Sequence, residues 1–559
     1  MTSVAISPYS VLDESRRVFE DLLDDPRLSI PKETKALASK VQFLGTSQPG
    51  LPVVWKFGEA INALKALEAT IANRLFSTKF KTEPQDIVID SDHAALFITS
   101  PFVLSVDGQP VGFRGSKELQ KYLKNRDYNR FLTPLYRALT SNIYKTKDEK
   151  FFHTHNNFNP DLTQNMIGIP HDSDLTDRDE IIPIIQAKVK EQSAAELQYK
   201  ASEVYKQAGT ICYTTKEFEE TLHGNANANS GIYELSRRPG VENHPAAWWD
   251  EPENEEPNIE RPLRGLKVLD LSRVIAAPTV GRTLSEYGAT VLRITGPQVP
   301  DFWPVLPDLN NGKYTAELDL KKDDDKKILK GLIANADVII DGYRPGVMEK
   351  LGFGRDRAFE IVAKARPGGR GLVYVRENTY GWHGPWQGLS GWQSISDAVT
   401  GVSWETGRAM GYEGPVTPFF PNSDFGTGVA GTAGVLHALQ LRGTEGGNYN
   451  VDIALNYYNT WLVKTVGKYD AEVWNALWSR HEKMTFKHYD DMKKTTSIVV
   501  ESMKKHSPWF FKESYFEERQ GPLGNVKYLA PVVKMSQTKN KWDIPTRDNG
   551  HDQPIWPKV

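Results

Sequence analysis

Apolar and polar positions alternate in two different ways along the chain. In "FGEAINALKALEATIANRLF" (57–76), Ile61, Leu64, Leu67 and Ile71 recur at three- and four-residue intervals, which stacks them on one face and predicts an amphipathic helix. "DIVIDSDHAALFI" (86–98) then reads as a strand. From residue 266 the rhythm changes. "LKVLDLS" (266–272) predicts a short buried strand, "PTVGRTLSEYG" (278–288) a helix opening on proline and closing on glycine, and "ATVLRIT" (289–295) the next strand. "KKDDDKKILKGLIANA" (321–336) continues as a helix, followed by the strands "DVIIDGY" (337–343) and "GLVYVRE" (371–377). Such alternation predicts an α/β fold, a parallel sheet under helical cover. Farther on, "GTGVAGTAGVLHALQLRG" predicts a helix over 425–441, and "YNTWLVKTVGKYDAEVWNALWSRHEKM" (458–484) a long aromatic one.

Prolines and acids interrupt every period in "PAAWWDEPENEEPNIERPLRG" (245–265), which marks a linker whose Trp248 and Trp249 pack across a surface. The expected organisation is a first half over 1–244, a linker over 245–261, a Rossmann-like domain over 262–460, and a helical and irregular segment over 461–559 that packs back on both halves. The order "glycine-bearing helix, then strand" recurs: aligning Gly58 with Gly426 superposes the helix at 57 on the helix at 425 and points to a weak internal repeat.

Composition narrows the function. The 559 residues carry 68 Lys and Arg against 71 Asp and Glu, so nothing in the charge calls for nucleic acid. No run of about 18 uncharged apolar residues suggests a membrane span, the N-terminus lacks a signal-peptide pattern, and a cytoplasmic protein is expected. The single cysteine, Cys212, excludes an intrachain disulfide and a cysteine zinc cluster; its apolar neighbours make it a packing residue. His153 and His155 in "FFHTH" fall on one side of a strand, but no third ligand accompanies them, so no metal is assigned and a structural or surface role is expected.

"PNSDFGTGVAG" (421–431) spells G-x-G-x-x-G at Gly426, Gly428 and Gly431. A dinucleotide fingerprint needs a strand in front of the glycines, whereas prolines stand at 415, 418 and 421; small residues that let another element approach the helix explain the glycines better. Asp424 then has two readings. It is an N-cap accepting backbone N–H bonds, or a carboxylate nucleophile at a glycine-lined helix start.

Five blocks in order resemble the class III CoA-transferases (the CaiB/BaiF type), which include the α-methylacyl-CoA racemases: "PLRGLKVLDLSRVIAAP" (262–278), "LNNGKYTAELDL" (309–320), "ADVIIDGYRPGVMEKLGFG" (336–354), "YGWHGPW" with "GWQSISDAVTG" (380–401), and the segment from "SDFGTG" onward. The resemblance implies that fold, with a Rossmann-like sheet, and CoA transfer from an acyl-CoA to a carboxylic acid. It places Asp424 at the catalytic aspartate, which attacks the thioester and passes through an acyl-aspartyl anhydride and an aspartyl-CoA thioester. It sets Arg273, Asn310, Lys313, Arg344 and Lys350 near CoA, and implies neither a metal nor a tightly bound cofactor.

The chain departs from the pattern at three places: Gly296 stands for an adenine-side arginine, Ile275 for a polar active-site residue and Gly342 for an asparagine. Trp392 occupies the position of the racemases' histidine, leaving His383 as the only local substitute. These departures motivate two alternatives, an isomerase, racemase or lyase using Asp424 as acid and base, and a catalytically silent scaffold. Residues 143–161 and those following resemble the family's small domain, out of order, so two degenerate copies in one chain are expected, with Lys56 at the repeat position of Asp424. Because family members form interlocked homodimers, a pseudo-dimeric monomer is expected, with a homodimer of such units as the alternative.

Overall fold

The computed structural model describes residues 9–112, 117–238, 244–252 and 256–558; positions 253–255 of the expected linker lie outside them. Seven strands form the main sheet: β1 (Glu234–Arg237), β2 (Lys267–Leu271), β3 (Thr290–Thr295), β4 (Lys313–Glu317), β5 (Val338–Asp341), β6 (Val373–Asn378) and β7 (Tyr449–Ala454). Their spatial order is β4-β3-β2-β5-β6-β7-β1, with all pairs parallel except the last. Strands covered on both faces lack the apolar–polar alternation of a half-exposed strand, as around Val268, Val291 and Ile339, and of the charges buried within them, Asp270 and Arg293 are paired with Lys313 and Asp301. Leu269, Leu292 and Ile339 pack with Leu332 and Val362 on one face; Val268, Val291 and Ile340 join the core of the other.

In this order the chain winds outward from β2 in one direction and from β5 in the other. The two strands are neighbours, and the crevice beyond their carboxyl ends is the topological switch point where open α/β sheets bind ligands.

Helices α2 (Ala276–Glu286) and α3 (Asn422–Glu445) bear on that crevice, and α1 (Phe57–Phe80) packs against α3. Helix α1 is buried nearly all round, not on one face as its apolar spacing predicts, because it packs between α3 and Val11–Asp24. The glycines of α3 are what close packing demands. A Cβ at Gly426 would lie 2.1 Å from the Tyr458 ring, one at Gly428 2.6 Å from the Ala276 carbonyl oxygen, and one at Gly431 2.7 Å from Ile453.

Other expectations are corrected. Only Ile87–Asp90 of 86–98 is a strand; Asp90 accepts from the N–H groups of Asp92 and His93 and starts a helix, Ser91–Ala95. The long helix over 458–484 breaks at Gly467 (φ +79°) and restarts at Ala471, capped by Asp470. Trp248 and Trp249 are packed: Trp249 is buried and donates to the Arg264 carbonyl at 2.9 Å, and Trp248 fills the space beside Gly443.

Among the described residues the first half builds no second doubly wound sheet. It pairs Val41–Leu44 with Ile87–Asp90 in parallel beside α1, and contributes a three-stranded antiparallel sheet of Asn142–Lys145, Phe151–Thr154 and Gly209–Ile211. The C-terminal segment contacts both halves. Val533–Met535 pairs with Ile87–Asp90, while Asn549 bonds Arg293 at 2.9 Å in the main sheet. No helix among the described residues is long and apolar enough to cross a membrane.

Candidate active site

A cavity of about 310 Å³ opens at the switch point. Its floor comes from the carboxyl ends of the strands: Arg273 and Ile275 after β2, Gly342 and Arg344 after β5, Glu377 and Asn378 at the end of β6. Asp424 enters from the start of α3. The opposite wall is supplied by the first half, with Phe102, Phe131, His155 and Phe158, so both halves of one chain enclose the space.

The N-cap reading of Asp424 is corrected. Pro421 occupies the cap position without a side-chain bond, and Asp424 is the third residue of the helix. Its carboxylate makes no hydrogen bond or ion pair among the described residues, and burial pushes it up to about 7. A second carboxyl group, Glu377, is likewise without a hydrogen bond among the described residues; burial, then the charges of Asp424 and Asp341, push it up to about 8. Behind them, Asp397 accepts from Asn459 at 2.8 Å and from Gln393; burial above all, opposed by the Asn459 bond and reinforced by Asp424, leaves it at about 8. Sequence reasoning missed Glu377 and Asp397. An acid at the carboxyl end of a central parallel strand was the available signal for Glu377, given the switch-point rule.

The basic residues separate. Arg273 lines the cavity, its guanidinium 4.8 Å from the Phe158 ring and bonded at 2.6 Å to the Pro300 carbonyl. Arg344 sits exposed on the cavity lining, and among the described residues its bond is one of 3.3 Å to the Lys206 carbonyl. Asn310 and Lys313 differ from expectation: both are fully buried outside the cavity lining, Asn310 accepting from Arg293 at 2.9 Å and Lys313 paired with Asp270 at 2.7 Å. Lys350 is exposed on the short Val347–Lys350 helix, off the cavity.

The departures acquire physical reasons. A Cβ at Gly342 would lie 2.7 Å from that of Ser272 and 2.8 Å from that of Ala277, so the close approach of β5 to the β2–α2 turn excludes a side chain there. At Gly296 it would strike Val299 at 2.6 Å. Ile275 holds the N-cap of α2 without a side-chain bond, leaving that helix start open toward the cavity.

His153 and His155 are not surface residues. Both line the cavity; His155 stacks on Trp392 (centroids 4.9 Å apart, 9° between planes), and burial, then the charges of His153 and Arg344, hold it neutral, well below 6.5. Trp392 donates to Asn157 at 2.6 Å. His383 lies outside the cavity lining, 2.8 Å from Glu234. Lys56 pairs with Glu14 at 2.7 Å. Cys212 is buried, and burial raises its thiol.

Two carboxyl groups that make no hydrogen bond among the described residues thus face a largely apolar crevice at the place where open α/β sheets bind their ligands. The model of CoA-transferase family III matches residues 263–488. The chain is 41% identical over 560 residues to the acetyl-coenzyme A transferase nodX of Hypoxylon pulicicidum, covering 98% of this chain and 94% of that protein. It is 29% identical over 526 residues to an acyl-CoA transferase of Gibberella moniliformis, with 91% and 90% covered. A CaiB/BaiF family protein from Brucella suis of solved structure is similar over 37% of this chain and 56% of its own, at 23% identity and a TM-score of 0.32. The chain belongs to CoA-transferase family III and is an enzyme of that family.

Proposed function

We propose that this enzyme moves CoA from an acyl-CoA to a carboxylic acid with Asp424 as nucleophile. The observation that carries the reading is the Asp424 carboxylate itself: it faces the switch-point cavity with no partner to occupy its lone pairs, although placing it there costs stability. As an anion it attacks the thioester carbonyl without needing a base, CoA leaves, and an acyl-aspartyl anhydride forms; CoA then attacks the aspartyl carbonyl, releasing the donor carboxylate and leaving an aspartyl-CoA thioester. The acceptor carboxylate displaces CoA to form a second anhydride, whose acceptor acyl carbon CoA attacks, giving the new acyl-CoA and freeing Asp424. The uncapped start of α2 offers N–H groups and a helix dipole toward the oxyanion. Phe102, Phe131 and Phe158 present an apolar wall to the acyl chain, and CoA enters as a substrate. Incubation with acetyl-CoA followed by peptide mass spectrometry should find a CoA adduct on Asp424. An adduct elsewhere, or none, would remove the assignment.

Arg273 and Arg344 are the cations we assign to the CoA phosphates. Arg344 contributes little to the fold, so Arg344→Ala should raise KM for acetyl-CoA about tenfold or more with kcat little changed, as for a lost charged hydrogen bond. An unchanged KM would place the phosphates elsewhere.

Because the first half closes the cavity, we propose that one chain forms a complete site on its own. Size-exclusion chromatography with light scattering should give an active species of single-chain mass. Activity confined to a dimer would contradict this.

A further inference from the structure

Glu377 has no structural task. Its neighbour on β6, Arg376, points the other way and grips Asp452 at 2.6 and 2.9 Å across the sheet. Glu377 turns into the cavity, with no hydrogen bond or ion pair among the described residues. The charges that act on it are acids, Asp424 from α3 and Asp341 from β5, while Asp424 also acts on Asp397, from Gln393–Val399. Arg273, Arg344 and Lys493 line the same cavity, but among the described residues none of them bonds Glu377. An unpaired carboxyl group among acids and removed from bulk water is stable as the neutral acid, which leaves a proton pointing into the reaction space.

We propose that Glu377 is a second catalytic residue, a proton donor and acceptor for the sulfur of CoA; the proposal rests on Asp424 being the nucleophile. In the first step an Asp424 oxygen bonds to the thioester carbon, the carbon–sulfur bond breaks with its electron pair going to sulfur, and the Glu377 proton passes to that sulfur. The products are the acyl-aspartyl anhydride, CoA as a thiol and Glu377 as a carboxylate. In the second step Glu377 takes the proton back while sulfur attacks the aspartyl carbonyl, the acyl carboxylate departs and aspartyl-CoA remains. One negative charge is present on the reacting groups at every stage, so no second unpaired anion accumulates in the crevice.

The acidities suit the exchange. A thiol ordinarily titrates near 8.5, and Glu377 is pushed up to about 8, so the proton moves between groups of similar strength. Asp424 and Glu377 titrate as a coupled pair that holds a single proton near neutral pH, so the crevice offers one carboxylate and one acid together. Adduct formation therefore falls as pH drops through about 7, where the pair takes up a second proton, and falls again as pH rises through about 8, where it loses its last.

The test is Glu377→Gln, which keeps the size and removes the acid. Rapid quenching with acetyl-CoA and mass spectrometry of the Asp424 peptide should show adduct formation slowed about 10²-fold, and the alkaline limb of its pH profile should vanish. In parallel, the wild type minus E377Q infrared difference at pH 7, without substrate, should show a protonated carboxyl component in addition to the Asp397 band that both proteins keep. An E377Q enzyme with the wild-type rate and alkaline limb, or wild type and E377Q with the same carboxyl band, overturns the proposal. If wild type forms no adduct, or D424N still forms one, the nucleophile reading itself has failed and the proton hand-off falls with it. The infrared arm then reports separately whether Glu377 is protonated.

Discussion

Asp424→Asn should lower CoA transfer by at least about 10³-fold while raising the melting temperature at pH 8. Loss of a covalent nucleophile leaves only binding and electrostatic contributions, and drops of this size or larger are typical. The stability change has the opposite sign because of what holds the carboxyl group. Its ordinary value of 3.8 is raised to about 7 by burial alone. With the folded pKa above the unfolded one, the folded state binds more protons between those values, and stability falls as pH rises from about 4 to about 7. Each unit corresponds to about 1.4 kcal/mol, so the ionised side chain burdens the fold by up to a few kcal/mol, less whatever water in the cavity returns. Asparagine removes that burden: the two melting temperatures should coincide near pH 4 and diverge toward pH 8. Were Asp424 a helix cap, asparagine would be neutral at every pH and alanine would cost about 1 kcal/mol. A D424N protein that keeps its turnover, or that melts lower at pH 8, is incompatible with the site described.

Much of this site was legible because its floor is local in sequence. The strands around Val268, Val291, Ile339 and Val375 declare themselves as short β-branched and apolar stretches four to six residues long, and parallel winding then fixes where their carboxyl ends meet. Asp424 was legible because the glycines behind it mark a helix that something must approach closely. The opposing wall was not. His155 meets Trp392 across 237 positions of chain, and no periodicity reports a contact of that span. Asp90 illustrates a different failure: "DIVID" alternates as a strand should, but the acid caps a turn of helix, and local side-chain bonding outweighs the extended pattern from there on. The lysine of "LNNGK" misled because lysines are mostly exposed, and its partner, Asp270, sits two strands away.

That lysine carries the second large effect. Lys313→Met should cost about 3–5 kcal/mol of stability and leave KM for acetyl-CoA unchanged. Lys313 Nζ lies 2.7 Å from Asp270 Oδ2 and 2.7 Å from the Pro278 carbonyl oxygen, and neither side chain of the pair is exposed. The pair ties edge strand β4 to β2 across β3 and secures the first turn of α2, while Asp270 also accepts from Ser272 at the rim of the crevice. Burial pushes the Lys313 ammonium down from 10.5 to about 8, with Asp270 opposing, so desolvation exceeds what the partner returns. A buried pair of this kind is weak in net terms yet expensive to break, because removing one member strands the other charge. It follows that D270L should be as damaging as K313M, and that the double variant should recover most of the loss. The coupling from the double-mutant cycle, read by urea denaturation, should thus be large and favour the pair of residues together. Losses that simply add would show that Lys313 and Asp270 act independently. A raised KM with unchanged stability would return Lys313 to the CoA-binding set.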